Sequence, residues 1–281
     1  MLSRRTTFAA LIAALILLVI AVPLTPRIFG GGTDPQEESR PDMSAYDRND
    51  RWSPEPGTQW QWQLAGTPAL EPDIDVYGMD GQETTDAEVQ NFTDRGLRTI
   101  CYLSAGTLEN WRPDADRFPD TVVGKQMDDW DGESWLDVRQ LDILLPIMTA
   151  RIDDCARKGF DAVEADNVDG YANDTGFPVS AQDQLRYNRA LAKLAHERGL
   201  SIALKNNVEQ IPQLEPHFDF AINEECFRYD ECDAYAPFTA AGKAVLNVEY
   251  EDVPGRCERA RKLGLSSMLK NMELDAWRQP C

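Results

Sequence analysis

Residues 161–171 read DAVEADNVDGY, a run that begins as an apolar strand and ends in Glu164, Asp166, Asn167 and Asp169. An unpaired acid is costly to bury, so a strand that aims acids into a fold either satisfies a buried network or serves a ligand. The stretch follows a helical pattern from about Pro146 to Lys158 and precedes one opening at Ser180. It is therefore the strand of an alternating helix–strand–helix unit.

The same alternation extends along the chain. Short apolar runs occur at 61–64 (QWQL), 74–80 (IDVYGMD), 98–106 (RTICYLSAG), 160–166 (FDAVEAD), 201–206 (SIALKN), 218–225 (FDFAINEE), 244–250 (AVLNVEY) and 266–272 (SSMLKNM). Thr85 with Glu88 forms a capping box opening a helix through Val89 and Phe92 to Gly96, and Ser180 with Asp183 opens another to Gly199. Strands alternating with helices pair in parallel, and eight repeats in about 225 residues match a (β/α)8 barrel. Periodicity alone leaves an open doubly wound sheet possible, but QWQLAGTPAL carries no glycine-rich phosphate loop after the first strand.

The N-terminus is different material. Arg4 and Arg5 precede 21 uncharged residues, Thr6 to Pro26, enough to span a bilayer and oriented to leave the rest of the chain outside the cytoplasm. Residues 1–29 read as a signal anchor or signal peptide, and residues 30–57, rich in Gly, Pro, Ser and charge, as a flexible tether. A (β/α)8 domain is expected over 58–281, extracellular and either secreted or tethered to the outer face of the membrane. Almost all of the net charge of −20 falls on that domain, which excludes nucleic acid as a partner and suits a cationic substrate.

Six cysteines in an exported chain imply three disulfides, for which sequence alone allows 15 pairings. Cys226 and Cys232 are close enough to staple one loop, Cys257 with Cys281 would tie down the C-terminus, and Cys101 with Cys155 remain. His196 and His217 are the only histidines and read as structural, so no metal or other cofactor is expected. A monomer is the default.

In a barrel, chemistry sits at the C-terminal strand ends, which here are polar: Asp80; Tyr102 and Ser104; Glu164, Asp166 and Asn167; Lys205 and Asn206; Asn223, Glu224 and Glu225; Glu249 and Tyr250; Lys270 and Asn271. If Val163 and Ala165 face the helices, Glu164 and Asp166 face the barrel axis, with Glu164 alternatively paired to Lys205 or Lys270 in a buried ion network. Paired carboxylates without a metal site or a Ser/His/Asp set point to glycosidic bond cleavage. Trp60, Trp62, Tyr77, Tyr102, Trp111, Trp130, Trp135 and Tyr171 are candidate sugar-stacking surfaces, with core packing the competing use of Trp60 and Trp62. Two other readings stay open: a metal-dependent deacetylase, which two scattered histidines do not supply, and a surface protein that binds glycan without turnover.

The segments WQWQL, ICYLSAGTLENWRPD, GESWLDVR, KGFDAVEADNVDGY, ALKN, FDFAINEECFRYDEC, VEY and LDAW together resemble glycoside hydrolase family 114, the endo-α-1,4-polygalactosaminidases with a TIM-barrel fold. The resemblance covers nearly all of residues 58–281. It implies a galactosamine-containing polysaccharide as substrate, with Asp166 in EADN and Glu224 in NEEC as the catalytic pair. By fold-level analogy Asp166 is the nucleophile and Glu224 the acid/base, with Glu225 as rival. Asp80, Tyr102, Glu164, Asn167, Asp169, Tyr171, Lys205, Asn223, Glu225 and Glu249 are expected to hold substrate or orient the acids.

Overall fold

The computed structural model describes residues 51–128 and 130–281; the apolar segment expected at 1–29 and most of the expected tether lie outside the described residues. Among the described residues no helix is long and apolar enough to cross a membrane. In chain order the strands are β1 (Trp60–Gln63), β2 (Val76–Asp80), β3 (Arg98–Ser104), β4 (Thr107–Glu109), β5 (Val123–Gln126), β6 (Glu133–Leu136), β7 (Ala162–Asp166), β8 (Ser201–Lys205), β9 (Phe220–Glu224), β10 (Val245–Glu249), β11 (Ser266–Lys270) and β12 (Arg278–Pro280). The α-helices are α1 (Asp86–Thr93), α2 (Leu141–Lys158), α3 (Ala181–His196), α4 (Ile211–Leu214), α5 (Ala236–Ala240) and α6 (Arg256–Leu263).

The strands β1-β2-β3-β7-β8-β9-β10-β11 pair in parallel in that order, and β12 adds antiparallel to β11. These eight parallel strands are the eight apolar runs of the sequence, and they form a nearly closed (β/α)8 TIM-type barrel. Side chains bridge the seam between β1 and β11, where Trp60 Nε1 donates to Ser266 O and Lys270 Nζ to Gln61 Oε1, and from β12 Arg278 Nη1 donates to Trp60 O.

Alternation divides the strand residues into two cores. Trp62, Ile100, Tyr102, Ala162, Ala203, Ile222, Leu246 and Met268 fill the barrel, whereas Cys101, Leu103, Val163, Ala165, Leu204 and Ala221 pack under the helices. Gly78 has a local reason: a Cβ there would stand 2.6 Å from Cδ1 of Trp62, so its absence admits the indole. Both capping boxes form, Thr85 with Glu88 on α1 and Ser180 with Asp183 on α3, each contributing about 1 kcal/mol. The disulfides are Cys101–Cys155, Cys226–Cys232 and Cys257–Cys281.

The structure differs from the sequence reading in three places. Helix α2 starts at Leu141, with Pro146 inside it rather than at its head. Residues 107–136 build a small antiparallel sheet, β4-β6-β5, that rises beside the C-terminal end of β3. Arg51 and Trp52, within the stretch read as tether, pack against the N-terminal ends of the strands: Ser201 Oγ donates to Trp52 O, and Arg51 lies 3.6 Å from Asp219.

Candidate active site

Four residues just beyond barrel strands depart from strand geometry. Asn167, Asn206, Asn207 and Glu225 all have φ between 46° and 60°, a left-handed conformation that asparagine tolerates and glutamate adopts only under constraint. They lie at the C-terminal rim, where an open cleft of about 760 Å³ runs across the barrel mouth.

Lys205 stands at the cleft floor with its side chain almost wholly buried. Its Nζ lies 3.0 Å from Asp166 Oδ1, 2.9 Å from Glu224 Oε2 and 3.4 Å from Glu164 Oε1, and 4.8 Å from the centre of the Trp62 ring. Three acids around it hold it as a cation, with its pKa raised well above the usual lysine range despite burial. Asp166 receives two further bonds, from Tyr102 OH to Oδ2 at 3.1 Å and from its neighbour Asn167 N to Oδ1 at 2.8 Å. Glu224 Oε1 accepts from the hydroxyl of Tyr250, and Asn206 Oδ1 fixes the Glu224 backbone amide. Asp166 and Glu224 both line the cleft.

Most of the other expected residues converge on the same cleft: Asp80, Tyr102, Asn167, Asp169, Tyr171, Lys205 and Glu225 line it. Asp80 is held bidentately by Arg112, and Tyr171 OH donates to Glu209 at 3.2 Å. Burial, reinforced by Asp166, pushes the Asp169 carboxyl up to about 6. Glu225 lines the cleft beside Glu224, against simple alternation, because its left-handed backbone breaks the strand periodicity there.

Glu164, Asn223 and Glu249 lie elsewhere, all with no exposed surface. Glu164 faces the axis one layer below the cleft, where it accepts from Trp62 Nε1 at 2.9 Å and adjoins Lys205; the buried ion network is its setting. Burial pushes its carboxyl up to about 8, against the opposing pull of Lys205. Asn223 and Glu249 have the outward parity of their strands. Asn223 binds Tyr235 and Asn247, and Glu249 accepts from the Phe227 and Arg228 amides, so both brace the loop that follows Glu224. Among the aromatics, Trp62, Tyr102, Trp111, Trp130, Trp135 and Tyr171 line the cleft, while Trp60 and Tyr77 are core residues.

Sequence reasoning did not select Glu109, Arg112 or Glu133, and named Tyr250 and Asn206 as polar strand ends without placing them in the site; all five line the cleft. Tyr250 and Asn206 end strand runs; Glu109, Arg112 and Glu133 lie in the β4-β6-β5 excursion, whose strands are too short to announce themselves by periodicity.

A (β/α)8 barrel with acids paired across an open rim cleft has the architecture of a glycoside hydrolase, and comparison with known proteins agrees. The chain belongs to glycoside-hydrolase family GH114, whose family model matches residues 42–281. Among solved structures, Aspergillus fumigatus Ega3 in complex with galactosamine is 36% identical, with a TM-score of 0.76 over 82% of this chain and 97% of that one. The glycoside hydrolase domain of PelA from Pseudomonas aeruginosa, at 15% identity and a TM-score of 0.60 over 78% of this chain and 97% of that one, shares the fold. Comparison with curated protein sequences gave no match.

Proposed function

We propose that this glycoside hydrolase cleaves α-1,4-linked galactosamine polymers internally, with Asp166 as nucleophile and Glu224 as acid/base. One observation carries the reading: a single buried ammonium, Lys205, joins Asp166 and Glu224 at the floor of an open cleft. Contacts of 3.0 and 2.9 Å through one nitrogen place the two carboxyl oxygens within about 5.9 Å of each other. Retention is part of the proposal, and carboxyl groups about 5–5.5 Å apart rather than about 6.5–9.5 Å would be its signature.

In the first step an Asp166 oxygen attacks the anomeric carbon while Glu224 protonates the departing glycosidic oxygen. In the second, Glu224 takes a proton from water, which displaces Asp166 and releases the sugar. Tyr102, Asn167 N–H and Lys205 fix the orientation of Asp166; Tyr250 and Lys205 do the same for Glu224.

Substrate class rests on charge and likeness. Among the described residues, eleven that line the cleft are Asp or Glu and two, Arg112 and Lys205, are basic, which favours a polymer carrying ammonium groups. Ega3, the 36% identical relative, was crystallised with galactosamine. Three disulfides and the charged-then-apolar N-terminus support action outside the cytoplasm. Reducing-end release from purified α-1,4-polygalactosamine tests the function. Asp166→Asn should abolish release and leave the melting temperature within a few degrees. An inert wild-type domain would overturn the proposal.

A further inference from the structure

The β4-β6-β5 excursion places two acids side by side. Glu109 and Glu133 are directly opposed in the antiparallel register of β4 and β6, 2% and 6% exposed, and both line the cleft. Like charges facing each other across strands destabilise a sheet, and burial aggravates it. One cation serves this group: Arg112 Nη2 donates to Glu109 Oε1 at 2.6 Å, but the same guanidinium is committed bidentately to Asp80. Arg151 is engaged with Asp114.

One buried acceptor of the pair is vacant. Glu133 takes its hydrogen bonds on Oε2, from Thr107 at 2.8 Å and Asn167 at 3.5 Å. Among the described residues, buried Glu109 Oε2 receives none. Burial, then the charges of Glu109 and Asp166, push the Glu133 carboxyl up to about 7, against the hydrogen bond from Thr107. A buried carboxylate oxygen without a donor, beside a second acid and short of cations, is what an ammonium ligand would satisfy.

We propose that Glu109 and Glu133 form a subsite that receives the ammonium of an amino-sugar residue next to the bond being cleaved. The proposal rests on the amino-sugar reading above. Asn167 ties this subsite to the reaction centre: its side chain reaches Glu133 while its backbone amide holds Asp166. Trp111 lies over Gly132, 3.0 Å from where a Cβ would stand, and with Trp130 offers an exposed apolar platform for the sugar ring beside the acids. An N-acetyl group would bring no positive charge to the pair and would leave Glu109 Oε2 without a cation.

Calorimetric binding of an α-1,4-galactosamine tetramer and its N-acetylated counterpart to the Asp166→Asn protein tests the subsite without turnover. Adding Glu133→Gln or Glu109→Gln should reduce the preference for the free-amine tetramer at least about tenfold, the scale of one lost charge-assisted hydrogen bond. Glu133→Asp, which keeps the charge, should retain most of it. Glu133→Gln should melt no lower than the parent, because it relieves the cross-strand repulsion. An unchanged preference in both Gln variants would overturn the subsite. Because binding is read independently of hydrolysis, an inert wild-type enzyme would sink the functional proposal while this measurement still decided the subsite.

Discussion

Lys205 Nζ stands 3.4 Å from Glu164, a carboxyl with no exposed surface, and so ties a buried acid to the two that line the cleft. Strands β7, β8 and β9 deliver Glu164 and Asp166, Lys205 and Glu224 to this point because inward positions recur every second residue. Burial, opposed by Lys205 and reinforced by Asp166 and Glu224, pushes the Glu164 carboxyl up to about 8, which leaves that acid largely neutral at pH 7.

Stability should therefore decline with rising pH in a window that Glu164→Gln removes. Folding raises this group from its ordinary 4.5 to about 8, so its contribution is fully present below pH 4.5 and lost as pH rises through 8. The slope is at most about 1.4 kcal/mol per pH unit. Melting curves from pH 5 to 9 should show Glu164→Gln gaining on wild type up to about pH 8 and running parallel above it. Glu133, raised to about 7, and Asp169, raised to about 6, add slopes of the same sign that persist in the variant. Parallel curves throughout would mean that Glu164 is ionised in the fold.

Removing the cation should do more damage than removing any one acid. Lys205→Met keeps the length of the side chain but leaves Asp166, Glu224 and Glu164 facing one another without a counter-charge. Breaking a buried pair costs about 3–5 kcal/mol, so the variant should melt well below wild type and lose hydrolysis. The double variant Lys205→Met/Glu164→Gln should recover part of the stability and none of the activity. Additive losses would show that the two residues do not interact.

The acid/base role assigned to Glu224 separates it from its neighbour Glu225, which also lines the cleft but is paired with Arg228 at 2.8 Å. Glu224→Gln should lower kcat by about 10²–10⁴ on the polymer. An aryl galactosaminide with a good leaving group needs little protonation, so the variant should give a burst of phenol followed by slow turnover. If Glu225→Gln behaved this way and Glu224→Gln did not, the roles would be exchanged.

The fold was legible where local pattern and tertiary demand coincide. Each barrel strand is an apolar run of four to seven residues, and the caps at Thr85 and Ser180 are set by contacts three residues away, within reach of a sequence pattern. That Asp166 and Glu224 reach the cleft was legible because they end such runs. Legibility failed at Glu225, where a left-handed residue breaks the alternation and brings two adjacent acids to one cleft, and at Asn223 and Glu249, where strand-end polarity was ranked above the regular alternation that carries them outward. It failed again at Glu109 and Glu133, on strands of three and four residues whose pairing depends on contacts 26 residues apart for Thr107 and Glu133.

The three disulfides should contribute unequally. Cys101 lies in β3 and Cys155 in α2, so their bond fastens a helix to the barrel wall and closes the longest loop, with a separation of 54 residues. Cys257–Cys281 spans 24 residues and ties α6 to the chain end, and Cys226–Cys232 spans 6 within the loop after Glu224. Loop-closure entropy ranks them at about 4, 3.5 and 2 kcal/mol. Replacing each pair by alanines and measuring denaturant midpoints should reproduce that order, with a further loss at Cys101–Cys155 and at Cys226–Cys232, whose side chains are buried in the outer core. The shortest loop should matter most to catalysis instead, because Cys226 N–H donates to Asn223, two residues inside the segment that presents Glu224 and Glu225. A Cys226→Ala/Cys232→Ala protein that keeps full activity would place the Glu224 scaffold in the Glu249 and Asn223 hydrogen bonds alone.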